Sequence, residues 1–132
     1  MASQVPPLPA GVTVFERGWL SSNNVLISGQ AGCALVDSGY STHSAQTLAL
    51  VARALNGRPL DVLLNTHLHS DHCGGNAALQ QAYPHLQTHI PPGHAAFVQD
   101  WNPHALTYTP TGQTCPPFRF NALLLPGTDM QL

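Results

Sequence analysis

The sequence predicts one domain of the α+β class, and three observations carry that reading. Three short strand-like runs precede residue 38, two of them joined by a glycine-bounded turn. A stretch with helical apolar spacing follows and ends near Asn56. An apolar run, Asp61-Val62-Leu63-Leu64-Asn65, then feeds the histidine-rich segment NTHLHSDHCGGN at residues 65–76.

The elements follow in order. Residues 1–11 form a loose proline-rich lead, and the domain is expected over residues 12–132. Val12 to Glu16 alternates apolar and polar residues, as a strand does. Val25 to Ser28 is a second strand, Gly29-Gln30-Ala31-Gly32 a hairpin turn, and Cys33 to Asp37 a third strand pairing back on the second. Ser41 or Thr42 is placed to cap a helix running to about Asn56, with Leu48, Val51, Ala52 and Leu55 as its buried stripe and Gly57 just past its end. After the histidine-rich segment a helix from Asn76 to about Tyr83 is stopped by Pro84. Leu86 to Ile90 reads as a strand and His94 to Trp101 as a helix. Residues 102–117 read as a long irregular segment, and Phe118 to Leu125 as two short strands. A turn at 126–129 precedes what looks like the start of another strand.

Composition bounds the partners. The chain has 132 residues, enough for one core. Only 8 % of residues are charged, there is no lysine, and the formal net charge is −2. No basic surface invites nucleic acid or an anionic membrane, so the expected partner is a small-molecule substrate. The N-terminus lacks a positive, then apolar, export signal, which points to the cytoplasm. Three irregularly spaced cysteines, Cys33, Cys73 and Cys115, fit reduced thiols and not a disulfide framework.

The 65–76 segment sets His67, His69, Asp71 and His72 within six positions. Imidazole nitrogens and carboxylate oxygens are ligands of zinc and related divalent ions. Side chains two apart on an extended chain point the same way, so His67 and His69 can face one ion as the strand runs out. Asp71 and His72 follow the turn and can aim at a second point. Gly74-Gly75 allow the backbone to pass close by.

This segment resembles the HxHxDH signature of the metallo-β-lactamase-fold hydrolases, and Val36-Asp37-Ser38-Gly39 resembles that family's first motif. The resemblance implies an α/β/β/α sandwich built of two similar halves, of which this chain supplies about the first. The family's third histidine, metal-bridging aspartate and last histidine belong to the other half. A lone half is expected to expose the inner face of its sheet, and so to be poorly soluble or to form a homo-oligomer.

The resemblance further implies a dinuclear zinc hydrolase that uses metal-bound hydroxide on an ester, thioester, lactone or amide-like bond. His67 and His69 would hold one ion, and Asp71 and His72 the other, with Asp71 also orienting the nucleophile or taking its proton. Asp37 and Thr66 would fix a ligand or the loop by hydrogen bonds. Two further readings use the same residues: an iron enzyme resembling the persulfide dioxygenases, or a half-domain that only binds metal. His43, His85, His89, His94 and His104 are not assigned to metal. Cys73 is read as a small packing residue, Cys33 as a buried hydrophobe and Cys115 as a residue that can be exposed. Trp101, Tyr108 and Phe118 are read as core or loop aromatics that can line a pocket.

Overall fold

A computed structural model describes residues 7–18 and 21–132. Part of the proline-rich lead, residues 1–6, therefore lies outside the described residues.

Strands β1 (Val12–Phe15), β2 (Asn24–Ser28) and β3 (Cys33–Val36) form an antiparallel meander. The Gly29 amide donates to the Gly32 carbonyl at 2.8 Å, closing the hairpin between β2 and β3. Helix α1 (Ser44–Leu55) leads to β4 (Val62–Leu64), which lies parallel to β3. Two short helices, α2 (Ser70–Cys73) and α3 (Asn76–Ala82), lead to β5 (Gln87–Ile90), parallel to β4. Helix α4 (Ala95–Gln99) and a long turn-rich segment end at β6 (Ala122–Leu123), parallel to β5. The six strands form one mixed sheet in sequence order.

One face of the sheet carries Leu26, Cys33, Leu35 and Leu63, which pack with Val51 and Leu55 of α1 and Leu79 of α3. Burial of such a layer stabilises the fold at about 25 cal/mol per Å² of apolar surface removed from water. The opposite face is also apolar. The strand register aligns Val12, Ile27, Ala34 and Val62 in one row, and Val14, Val25, Val36 and Leu64 in another. Among the described residues no helix covers these rows, and Val14 is 38 % exposed. The C-terminal residues return over part of this face: Thr128, Asp129 and Met130 share a cavity with Leu64 and His89, and Leu132 lies against Gly29.

Several expectations are corrected. Neither Ser41 nor Thr42 caps α1 with its side chain; residues Ser41–His43 form a 3-10 turn that runs directly into the helix. The buried stripe of α1 is Thr47, Val51 and Leu55; Leu48 is partly buried and Ala52 is exposed. Arg17 explains the rotation. Its Nη1 donates to Thr47 Oγ1 and Asn24 Oδ1, both at 2.8 Å, which anchors a polar residue inside the layer. Thr47 Oγ1 in turn donates to the carbonyls of His43 and Ser38. The helix ends as its sequence indicates: Asn56 takes the left-handed conformation and Gly57 follows at φ +91°. Residues 118–125 contain one two-residue strand, not two strands, and residues 130–132 form none. There the chain pairs only with the short end of β5 and then turns away.

Candidate metal centre

Strand β4 stops at Leu64, so His67 and His69 lie beyond it in a loop. The alternation nevertheless persists: Leu68 is buried, while His67 and His69 are exposed on the same side, with ring centres 4.7 Å apart. Helix α2 then begins, and its first turn places Asp71 and His72 beside them. The His67 and His72 rings are 3.8 Å apart at 47°.

Asp37 organises this cluster from the end of β3. Its Oδ1 accepts the Thr66 amide at 2.9 Å, and its Oδ2 accepts the Thr66 hydroxyl at 2.7 Å. His72 Nδ1 lies 2.8 Å from the same Oδ2. A carboxylate can only accept, so this contact places a proton on Nδ1 and leaves Nε2 as the nitrogen that can face a metal. That Nε2 lies 3.5 Å from Asp71 Oδ2. Asp37 reaches this position with φ +61°, a left-handed conformation that aspartate tolerates better than most residues. Gly39, at φ +76°, continues the same sharp turn.

A buried amide network holds the loop from below. Asn76 Oδ1 accepts from the Ser38 hydroxyl at 2.7 Å and from Asn65 Nδ2 at 3.2 Å, while Asn76 Nδ2 donates to Asn65 Oδ1 at 2.7 Å. The His72 carbonyl accepts the Ser38 amide at 2.7 Å, so the aspartate turn and the ligand helix are joined directly. Gly74 and Gly75 make this possible. A Cβ on Gly74 would stand 2.5 Å from the Ser41 nitrogen, and one on Gly75 2.4 Å from the Ser38 carbonyl oxygen. Sequence reasoning missed Asn65, Asn76 and Ser38. Their only sequence signal is that asparagines bracket the motif and that Ser38 follows Asp37.

Burial pushes the His67 imidazole below its ordinary pKa; the neighbouring His72 and His69 add to this, and Asp37 and Asp71 oppose it. A neutral imidazole is the ligating form. Among the described residues three clefts flank the cluster, the smallest of about 120 Å³ lying against both His67 and His69. One of about 200 Å³ is lined by His69, Ser70, Asp71, Thr107, Thr111 and Gln113. Another of about 260 Å³ is lined by Thr66, His67, Leu68, Pro91, Gly93 and His94. Of the other histidines, His94 therefore reaches the cluster's edge. His43 is tied to the Ser21 hydroxyl at 2.8 Å, and His89 lies in β5.

A metal fits the chemistry of this donor set more closely than its present arrangement. The rings are packed against one another, and among the described residues no three His, Cys, Asp or Glu side chains are arranged to hold an ion. The His72 Nε2 to Asp71 Oδ2 separation of 3.5 Å is close to the ~3.3 Å between two donors that share one tetrahedral zinc. His67 and His69 are exposed, so their rings can turn outward without disturbing the core.

The remaining candidates belong to a second core. Cys73, Leu68, Ile90, Val98, Leu106, Tyr108, Cys115 and Phe118 pack together, with Trp101 against them. Tyr108 and Phe118 are buried, and Cys115 is 9 % exposed, correcting the expectation that it can be exposed. Cys33 is fully buried in the helix-side core. The Tyr108 hydroxyl is held far above its ordinary pKa, first by burial and then by the neighbouring Cys73 thiol.

The family model described as the metallo-beta-lactamase superfamily matches residues 17–128. Among solved structures, the metallo-β-lactamase MIM-2 is 29 % identical, with a TM-score of 0.66 over 83 % of this chain and 41 % of its own. MIM-1 from Novosphingobium pentaromativorans is 26 % identical, with a TM-score of 0.68 over 83 % and 41 %. A β-lactamase from Chitinophaga pinensis is 26 % identical, with a TM-score of 0.68 over 83 % and 42 %. This chain thus spans well under half the length of these neighbours. No curated protein matched the sequence. Among the described residues, no helix is long and apolar enough to cross a membrane. With the family model covering residues 17–128, most of its length, the chain belongs to the metallo-β-lactamase superfamily.

Proposed function

We propose that this chain carries the ligand loop of a dinuclear zinc hydrolase acting on an ester, thioester, lactone or amide-like bond. The β-lactam amide is the first candidate, because the similar solved structures are described as β-lactamases. One observation supports the reading above others: Asp37 holds His72 Nδ1 at 2.8 Å and thereby turns Nε2 toward the Asp71 carboxylate, 3.5 Å away. A histidine oriented by a carboxylate through its far nitrogen is the arrangement metal sites use to fix tautomer and direction.

His67 and His69 would hold one ion, and Asp71 and His72 a second. Zinc held by these residues would supply Lewis acidity, which lowers the ionisation of bound water toward neutral pH. The chain's own residues do the rest. Asp37 and Thr66 keep the His72 ring in place. Asp71, whose side chain is 40 % exposed, can take the proton of an attacking water at its carboxylate. The clefts beside Asp71 and His67 receive the substrate on either side of the cluster.

The test is metal content and turnover together. This chain is expected to bind zinc, and a protein that joins it to the family's second half is expected to hydrolyse a chromogenic β-lactam or a thioester in a chelator-sensitive way. Asp71→Ala is expected to lose at least a hundredfold in turnover while keeping its circular dichroism. Retained turnover in that variant, or metal-independent hydrolysis, would overturn the proposal. Elemental analysis of the purified protein separates zinc from iron.

A further inference from the structure

The helix bearing Asp71 and His72 has a second, inward face. Its last residue, Cys73, is fully buried, and its thiol lies 3.9 Å from that of Cys115. The two cysteines are 42 residues apart in the chain and come from different segments. Tyr108 completes the cluster. Its hydroxyl lies 3.1 Å from Cys73 Sγ and donates to the Leu68 carbonyl at 2.7 Å. Leu68 separates His67 from His69, so the two thiols sit directly beneath the histidine loop.

Two thiols in contact at this separation need a combined movement of under about 2 Å to reach the disulfide length of about 2.05 Å. The pair is also asymmetric. Cys115 is 9 % exposed and Cys73 is 0 % exposed, so a small reagent meets Cys115 first and Cys73 stands behind it. The third cysteine, Cys33, lies in the other core, among Leu26, Leu35 and Val51, and does not compete. The segment holding Cys115 has turns but no helix or strand from residue 101 to 120. It is held to the rest of the molecule by the buried side chains of Leu106, Tyr108, Cys115 and Phe118 and by polar contacts: the Thr114 amide donates to the Tyr40 hydroxyl at 3.0 Å, Ser41 Oγ donates to the Thr114 carbonyl at 3.0 Å, and Ser70 bonds Gln113.

We propose that Cys73 and Cys115 form a reversible disulfide under hydroperoxide oxidation, stapling the 102–117 segment to the helix that carries Asp71 and His72. In the first step the Cys115 sulfur attacks one oxygen of hydrogen peroxide. The O–O bond breaks, Cys115 becomes a sulfenic acid, and its thiol proton leaves with the displaced hydroxide as water. In the second step the Cys73 sulfur attacks Cys115 Sγ. The S–S bond forms, the S–O bond breaks, and the Cys73 proton leaves with that hydroxide as a second water. Each thiol loses one hydrogen and the peroxide is reduced by two electrons. A dithiol reductant reverses the bond through a mixed disulfide. The bridge forms without reference to the metal, so its failure and the failure of the hydrolase reading are separate results.

The test uses the purified full chain with a chelator present. After peroxide treatment and alkylation under denaturing conditions, one alkylatable thiol should remain, and a proteolytic digest should contain the Cys73 and Cys115 peptides linked. Dithiothreitol should restore all three thiols. Cys33→Ser should bridge as the wild type does. Cys73→Ser should stop at a Cys115 sulfenic acid that dimedone captures. Amide exchange over residues 104–115 should slow by roughly tenfold in the bridged form. Three thiols left free, a sulfinic acid on Cys115 with no bridge, a bridge to Cys33, or a bridge only between two chains would each overturn the proposal. So would unchanged amide exchange in a bridged protein. Should Cys73→Ser fail to fold, the linked peptide in the wild type and in Cys33→Ser decides the question.

Discussion

Asp37 shows how much one residue can determine. It ends a strand, takes a left-handed backbone and binds three hydrogen-bond donors, one of them His72 Nδ1. Replacing it by asparagine keeps the size and the tolerance for positive φ but removes the charge that favours the Nδ1 proton. Asp37→Asn is therefore expected to weaken zinc binding by roughly 10- to 100-fold, read by competition with a chromophoric chelator, while the fold is retained. A second residue-scale effect concerns pH. The folded state holds the His67 imidazole below its ordinary value of 6.5 through burial and neighbouring imidazoles, and the His89 imidazole below it through burial. Between those lowered values and 6.5 the unfolded chain binds more protons than the folded one. Stability of the metal-free protein should therefore rise with pH across that window and fall progressively as pH drops below about 6.5. Urea midpoints measured at pH 7 and pH 5.5 in the presence of a chelator check the sign.

At the scale of elements, Gly74 and Gly75 join two pieces that must touch. A side chain on Gly75 would press into the Ser38 carbonyl, which is backbone and cannot rotate away. Gly75→Ala is expected to cost about 1–3 kcal/mol or more, seen as a lower denaturant midpoint. Gly93→Ala, which meets nothing within 4 Å, should stay within about 0.5 kcal/mol of wild type. The glycine pair, the 29–32 hairpin, the end of α1 and the histidine spacing were all legible in the sequence, because each is set by residues a few positions apart. Thr47 in the buried stripe was not legible, since its partner Arg17 lies 30 residues away. The contact of Cys73 with Tyr108 and Cys115, from 35 and 42 residues on, was hidden for the same reason. So was the Ser38–Asn76 bond, 38 residues apart. Periodicity reports which face of an element is apolar, but not which polar residue a distant partner will draw inside.

For the whole molecule, the unusual feature is a sheet that is apolar on both sides while helices cover only one. Val12, Ile27, Ala34 and Val62, with Val14, Val25, Val36 and Leu64, make two aliphatic rows across four strands. The C-terminal residues cover only part of this face, beside Leu64 and His89 and against Gly29. Low charge removes the usual protection: 8 % of residues are charged, none is lysine, and the net charge is −2, so little repulsion keeps copies apart. An aliphatic surface of this kind gains free energy by leaving water, and a second copy of the chain offers an identical flat surface. The 132-residue chain in isolation is accordingly expected to associate at micromolar concentration, with light scattering giving a mass above that of the monomer. Ile27→Lys places a charge in the middle of the first row while leaving the helix-side core of Leu26, Leu35 and Leu63 untouched. It should shift the chain toward monomer at the same concentration without loss of helical circular dichroism. A wild-type chain that stays monomeric at high concentration would show instead that the returning C-terminal residues cover this face well enough on their own.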